Sequence, residues 1–368
     1  MSKLAQKQIN VIEIDSRDAR YQSGIATYFN VLRDGMPENI STYNIVFYRS
    51  PEFKDVRIVD TDDELQIFHP MNFLFQTLFE AVIHIIWSKI KSMPNLIVKS
   101  DCLSCEALAY MIKSRIYCKT IGVLHCQPKI NITPGFVPND PYFNMDYIIL
   151  VGDNGRKYMD YWKCSRPFSV IYNGVEKPKI KLKHPNDGVF RFIFANGWSP
   201  HKGFEKIIPV IRRIAKKHKI EVYVLGGWAR EAESLVEEIA DLPIVRVGLL
   251  DNMDEIAKYY EMADCALFAS RTEACSFAGI EAMAYSLPIV STNENAMVEM
   301  FGNAALYADM NPDHEINLNQ YENHMLRIIE NRAIRIKQGA IGYSRFISRY
   351  TRKRMLDDTI KVYQSLVE

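Results

Sequence analysis

The sequence has 368 residues, of which 48% are hydrophobic and 24% charged, with a net charge of +1. That length supports two domains with a core each, and that balance is ordinary for a soluble globular protein. Near-neutral charge excludes a nucleic-acid binder that works through bulk electrostatics, and the lack of any run of about 18 apolar residues excludes a spanning helix.

In chain order, the N-terminus passes almost directly into an apolar strand without a signal-peptide apolar region, which points to a cytoplasmic protein. Strands are predicted at Asn10–Asp15, Tyr43–Tyr48, Leu65–Phe68, Leu96–Lys99, Thr120–His125, Tyr147–Val151 and Ser169–Tyr172, with helices between several of them. A second series follows at Phe190–Ala195, Glu221–Leu225, Ile244–Gly248, Cys265–Ala269 and Ile289–Thr292. Alternating strands and helices specify parallel sheets, so the expected class is α/β with two Rossmann-like domains facing a cleft. The stretch from Lys177 to Gly188 is polar and contains prolines, as linkers do. The expected domains are therefore 1–176 and 177–345. Arg345–Val367 reads as one long amphipathic helix after the second sheet is complete.

Several segments carry chemistry. After the first strand, the loop from Asp15 enters a helix near Gly24, where a glycine and free helix N–H groups suit an anion; a plain turn is the simpler reading. Asp60-Thr61-Asp62 matches a D-x-D metal signature but reads as a solvated turn, so no metal is assigned. From Phe73 to Trp87, Gln76, Glu80, His84 and then Ser88 form a narrow polar stripe on a broad apolar helix. A packed domain helix is the plain reading; a contact with a membrane surface or a second copy through residues 73–91 is the sharper one. The seven cysteines are irregularly spaced and have one CxxC, at Cys102 and Cys105, so they are expected to be free thiols in a reducing compartment. His125 stands at a strand's carboxyl end, where ligands bind.

In the second half, Phe194 to Phe204 runs from a strand into a helix and places Lys202 at the helix start. The macrodipole disfavours a cation there, which favours a functional role such as neutralising a departing diphosphate. Downstream, Glu273 and Glu281 lie in a strand–loop–helix–strand segment. Carboxylates only accept hydrogen bonds, and sugar hydroxyls donate them, so the two suit a polyhydroxylated ligand. The plain alternative is a pair of acids placed for the helix dipole.

The Glu273-x7-Glu281 pattern, followed by Ala282-Met283-Ala284 and a short apolar strand, resembles the donor site of retaining GT-B glycosyltransferases of the family 4 type. The junction Ile171-x-Asn173-Gly174-Val175 and the Lys202-Gly203 pair are similar to the same family. The resemblance implies a UDP- or GDP-sugar donor with no further cofactor. It also implies a glycan, lipid-linked or peptide acceptor on the first domain and front-face transfer without metal. It assigns Glu273 to the donor sugar, Glu281 to the ribose, Lys202 to the diphosphate and His125 to the sugar and acceptor. Leu249 falls in the nucleobase loop, Cys275, Ser276 and Phe277 in a phosphate-holding turn, and Gly24 in the N-terminal glycine loop. It further implies that the last helix, 346–368, packs on the first domain. Two positions depart from the family: Ser23 replaces one of the paired glycines, and Gly197 occupies the place of a second diphosphate cation. Arg17, Arg20 and Arg271 are candidates to compensate. That loss leaves a rival reading, a non-catalytic subunit that binds a partner enzyme or a glycan. A dinucleotide enzyme on two Rossmann-like units is disfavoured by the absence of G-x-G-x-x-G. On this reading the protein is cytoplasmic, or peripheral at the inner face of a membrane.

Overall fold

The computed structural model describes residues 7–18, 24–50, 52–61, 64–69, 82–85, 94–100, 103–125, 145–161, 163–179, 187–227, 235–250 and 252–368. The chain divides into two units, Met1–Tyr172 with Met355–Glu368, and Asn173–Arg354.

The first unit is built on an eight-stranded sheet. Its strands are β1 (Ile9–Asp18), β2 (Ile40–Arg49), β3 (Arg57–Asp60), β4 (Glu64–His69), β5 (Leu96–Lys99), β6 (Lys119–Leu124), β7 (Tyr147–Leu150) and β8 (Phe168–Val170). They lie in the order β3-β4-β2-β1-β5-β6-β7-β8. All pairs are parallel except β3 with β4. β5 is buried along its whole length, as expected of a central parallel strand covered on both faces. One face, formed by Ile12, Ile14, Ile45, Phe47, Leu65 and Ile67, packs on α2 (Leu103–Lys113) through Leu108, Ala109 and Ile112. Glu13 alternates with these isoleucines and faces the other way, towards Tyr28 of α1 (Gly24–Arg33) and Tyr363 of the last helix. Burial on that face pushes the Glu13 carboxyl up to about 8.

Two sequence expectations in this unit need qualification. β3 was not anticipated, because Arg57-Ile58-Val59-Asp60 is mostly exposed and lacks the apolar alternation of a core strand. Asp60 closes this edge strand, and Thr61 begins the turn into β4 by donating its N–H to Glu64 O at 3.0 Å; Asp62 lies outside the described residues. Of the 73–91 segment only residues 82–85 are described. They are helical, with Val82 and Ile83 buried in the sheet's core. Among the described residues no helix is long and apolar enough to cross a membrane.

The second unit has six parallel strands, β9 (Phe190–Phe194), β10 (Ile220–Leu225), β11 (Ile244–Gly248), β12 (Cys265–Leu267), β13 (Ile289–Thr292) and β14 (Ala305–Ala308). Their order is β11-β10-β9-β12-β13-β14. Helices alternate with them: α4 (Phe204–Ala215), α5 (Leu235–Glu238), α6 (Met253–Met262), α7 (Phe277–Ala284) and α8 (Asn295–Phe301), then α9 (Leu318–Glu330) and α10 (Arg332–Arg349); α3 (Arg156–Tyr161) belongs to the first unit. The α4 sequence puts Phe204, Ile207, Ile208, Ile211 and Ile214 on one stripe, and all are buried against Phe192, Val222 and Val224 of the sheet. Each such burial contributes about 1.5–3 kcal/mol. The fold is the expected α/β architecture with two Rossmann-like units.

The expected single helix from Arg345 to Val367 is instead broken. α10 stops at Arg349 and α11 (Arg352–Val367) begins three residues later. The cause is the junction segment: Val175 N donates to Tyr350 O at 3.0 Å, and Arg352 N donates to Val175 O at 2.8 Å. These bonds replace two that a continuous helix would make. Beyond the break, Met355–Glu368 counts with the first unit, where Leu356 lies against Gly35.

Candidate functional site

In the second unit, β9, β10 and β11 run outward to one side, and β12, β13 and β14 to the other. The strand order therefore reverses between β9 and β12. A crevice opens at such a point beside the strands' carboxyl ends, and ligands of open parallel sheets bind there. The two loops that leave these strands carry Lys202 and Glu273.

They are pressed together at Gly203. This residue has φ 71°, and a Cβ there would stand 2.3 Å from Ala269 O. Only glycine allows the loop after β9 to lie so close to the chain leaving β12. The backbone contact is completed by Arg271 N donating to His201 O at 2.8 Å. Lys202 Nζ then reaches Glu273 Oε1 at 2.5 Å. The same oxygen accepts from Ser270 Oγ at 2.9 Å, and Ser270 is itself buried and held through its carbonyl by Thr292 Oγ1. The Lys202 and Glu273 side chains are 18% and 9% exposed, so the ion pair is largely shielded from solvent. Beside it, burial and then the Lys202 charge hold His201 below its usual range. The imidazole is therefore neutral at neutral pH.

Gly197 occupies a backbone crossing. It has φ 68°, and a Cβ would meet Gly227 O at 2.7 Å. Gly197 N donates to Leu225 O, Trp198 N to Gly227 O and Gly226 N to Gly248 O, at 2.7–2.8 Å. The ends of β9, β10 and β11 are thereby tied into one edge, which also carries the exposed Leu249. Of the arginines expected to compensate for Gly197, Arg271 pairs with Glu205 at 3.3 Å and Arg17 pairs with Asp15 at 2.7 Å in the first unit. Arg20 lies outside the described residues.

The turn Cys275-Ser276-Phe277 is held from two sides. Asn173 Nδ2 donates to Cys275 O at 2.8 Å, and Ser276 Oγ donates to Asn196 Oδ1 at 3.3 Å. Ser276 also caps α7, accepting from Gly279 N at 3.3 Å. The first N–H groups of a helix lack intrahelical partners, so a held turn at this point presents donors to an anion. Further along α7, Glu281 Oε2 accepts from Tyr260 Oη of α6 at 2.8 Å. Burial pushes the Glu281 carboxyl up to about 7, and the Tyr260 bond opposes that rise.

Lys202, Glu273, Ser276 and Glu281 thus come from the two loops at the reversal and the helix behind it. Sequence reading passed over Asn173, Asn196, Tyr260 and Ser270. Asn173 lay in a junction motif, and Ser270 stood three residues before Glu273, as signals that could have been followed. In the first unit, His125 follows β6 and packs its ring on Tyr28 and Phe29 of α1, with centroids 4.7 and 6.0 Å apart. Gly24 is exposed and opens α1.

Among the described residues no three His, Cys, Asp or Glu side chains are grouped as a metal would require. Cys105, Cys118, Cys164, Cys265 and Cys275 are unbridged. Activity is expected to persist in EDTA; transfer that stops in the chelator and returns with Mn²⁺ would show that a metal takes part.

Residues 176–344 match the family described as Glycosyl transferases group 1. The O-antigen biosynthesis glycosyltransferase WclY of Escherichia coli is 24% identical, over 61% of this chain and 69% of its own. Among solved structures, sucrose-phosphate synthase from Thermosynechococcus elongatus superposes with a TM-score of 0.74 at 16% identity, covering 98% of this chain and 99% of its own. The chain has the GT-B fold, and its second unit resembles the glycosyl transferases of group 1. The pneumococcal O-GlcNAc transferase GtfA, solved with UDP and GlcNAc, shares that fold with a TM-score of 0.73 at 12% identity, over 98% of this chain and 99% of its own. The matched segment contains Lys202, Glu273, Ser276 and Glu281.

Proposed function

We propose that the protein moves a sugar from a UDP- or GDP-linked donor to an acceptor hydroxyl, with retention of anomeric configuration. The observation that carries this reading is the shielded Lys202–Glu273 pair at the β9–β12 reversal, with a helix N-terminus and Glu281 beside it. Such a site offers a cation and N–H donors to a diphosphate, and carboxylates to hydroxyls. Lys202 takes up charge that grows on the departing phosphate, and Glu273 orients the sugar. The phosphate oxygen receives the acceptor's proton as the new bond forms on the same face, through an oxocarbenium-like transition state. The protein supplies position and preorganised charge. The bound UDP in the pneumococcal relative supports a uridine donor, and the O-antigen relative supports a glycan acceptor.

Glu281 belongs to the ribose in this reading, so Glu281→Ala weakens binding of free nucleotide. Loss of a charged acceptor costs about 1.5–3 kcal/mol, roughly a 10- to 100-fold rise in Kd. Glu273→Ala lowers turnover more than nucleotide affinity. Calorimetric titration with UDP and GDP, beside steady-state kinetics, reads both; equal nucleotide affinity in wild type and Glu281→Ala would refute the ribose assignment. The glycine at position 197 favours a second reading, a subunit that binds glycan or partner without catalysis. Turnover of a nucleotide sugar by the purified chain excludes it.

A further inference from the structure

Glu281 is paired with a neighbour that the donor-site resemblance does not include. Tyr260 lies on α6, its ring is 1% exposed, and it stacks on Tyr285 with centroids 5.1 Å apart and planes 7° apart. Tyr285 ends the helix that carries Glu281. Ring packing alone would be met by phenylalanine. The hydroxyl adds a buried polar group, which is costly unless bonded. It is 2.8 Å from Glu281 Oε2, with the Ala278 carbonyl further off at 3.3 Å. A phenol has one proton to donate, and the shorter contact to the carboxylate takes it.

We propose that Tyr260 is a positioning residue for donor binding: its hydroxyl holds one carboxylate oxygen of Glu281 and so leaves the other aimed at the vicinal hydroxyls of the donor's ribose. This rests on the assignment of Glu281 to the ribose. A carboxylate on a rotatable side chain must lose rotamer freedom to accept from a diol, and a bond already made by Tyr260 removes part of that loss before the ligand arrives. The stacked Tyr285 fixes the phenol in turn. Electrostatics acts in the same direction. Burial favours the neutral Glu281 acid, and the Tyr260 bond favours the charged form that accepts hydrogen bonds. The groups facing this pair are Tyr285 at the end of α7, with Glu261 and Asp254 of α6 acting on Tyr285. Nucleotide affinity is accordingly full above the Glu281 pKa of about 7 and falls as pH drops through it. Without the tyrosine hydroxyl the charged form is less favoured, so that fall moves to higher pH.

The test is Tyr260→Phe, which keeps the ring and its stack. UDP and GDP are titrated calorimetrically into wild type, Tyr260→Phe, Glu281→Ala and the double variant between about pH 6 and 9, a window that spans the shifted carboxyl. Tyr260→Phe is expected to bind about tenfold more weakly at neutral pH, with its acid fall displaced upward. Turnover at saturating donor stays within about twofold, because positioning of the ribose is a matter of binding rather than of the chemical step. In the Glu281→Ala background the same change adds nothing, since its effect passes through the carboxylate. Wild-type affinity and pH dependence in Tyr260→Phe, with affinity still lost in Glu281→Ala, would reduce Tyr260 to packing. Additive losses in the double variant would also overturn the proposal. Unchanged affinity in Glu281→Ala would instead overturn the ribose assignment beneath it.

Discussion

Lys202→Ala is expected to lower turnover by about 10²–10³, the usual cost of removing one preorganised group that stabilises developing charge. The expectation follows from where the structure leaves cations. Gly197 supplies none, Arg271 is paired with Glu205, and Arg17 is paired with Asp15 in the first unit. Lys202 lies at the strand-order reversal, three-quarters or more shielded, with its partner Glu273 on the facing loop. A lysine at the start of α4 is opposed by the helix dipole, so Glu273 is what holds it there. Its removal therefore also touches stability. Glu273 would keep Ser270 but lose its cation while remaining 9% exposed. Leaving a buried acceptor short of a partner costs about 1–3 kcal/mol, or a few degrees of melting temperature. Lys202→Gln separates the two effects, because an amide still donates to Glu273 but carries no charge. A melting temperature near wild type with turnover still reduced would place the loss in catalysis. Near wild-type turnover in either variant would sink the assignment of Lys202 to the diphosphate.

How far the sequence discloses this site depends on the range of the interactions. β5 and β13 were legible because Leu96-Ile97-Val98 and Ile289-Val290 are apolar runs bounded by polar or turn residues, as fully buried parallel strands are. The strand–loop–helix around Glu273 was legible for the same local reason. β3 was not, because an exposed antiparallel edge strand owes its pairing to β4 rather than to its own pattern. β14 is four residues between a 3₁₀ turn and a loop, too short for any period to appear. The break between α10 and α11 is made by Val175, about 175 residues away, so helical periodicity continues through it. The site shows the same division. Glu273, Glu281 and Lys202 were visible as residue types in one donor-site pattern. Their direct contacts were not: Lys202 meets Glu273 across 71 positions, Tyr260 meets Glu281 across 21, and Asn173 meets Cys275 across 102. Such contacts depend on which strands are neighbours, and strand order is not written in any local pattern.

Gly197→Arg is expected to destabilise the second unit without improving donor binding. Gly197 occupies the place of a second diphosphate cation, and an arginine restores that charge only where the backbone at position 197 does not need positive φ. The structure shows that it does: φ is 68°, and a Cβ would stand 2.7 Å from Gly227 O. A left-handed conformation costs a non-glycine residue about 1–2 kcal/mol. The contact with Gly227 adds to that cost, because its near atom is backbone and cannot rotate away. Relief requires the loop after β9 to separate from the turn after β10. The bonds from Gly197 N to Leu225 O and from Trp198 N to Gly227 O are then lost. A total of about 3 kcal/mol is a fair scale for such strain. At roughly 2–4 °C per kcal/mol for a unit of this size, the melting temperature falls by about 6–12 °C. The moved loop also carries Lys202, five residues on, so turnover falls with stability and the new guanidinium does not compensate. Differential scanning calorimetry with UDP and GDP titrations decides the matter. An unchanged melting temperature together with tighter nucleotide binding would mean that the loop tolerates a side chain at 197, and that the glycine there is not dictated by the crossing with Gly227.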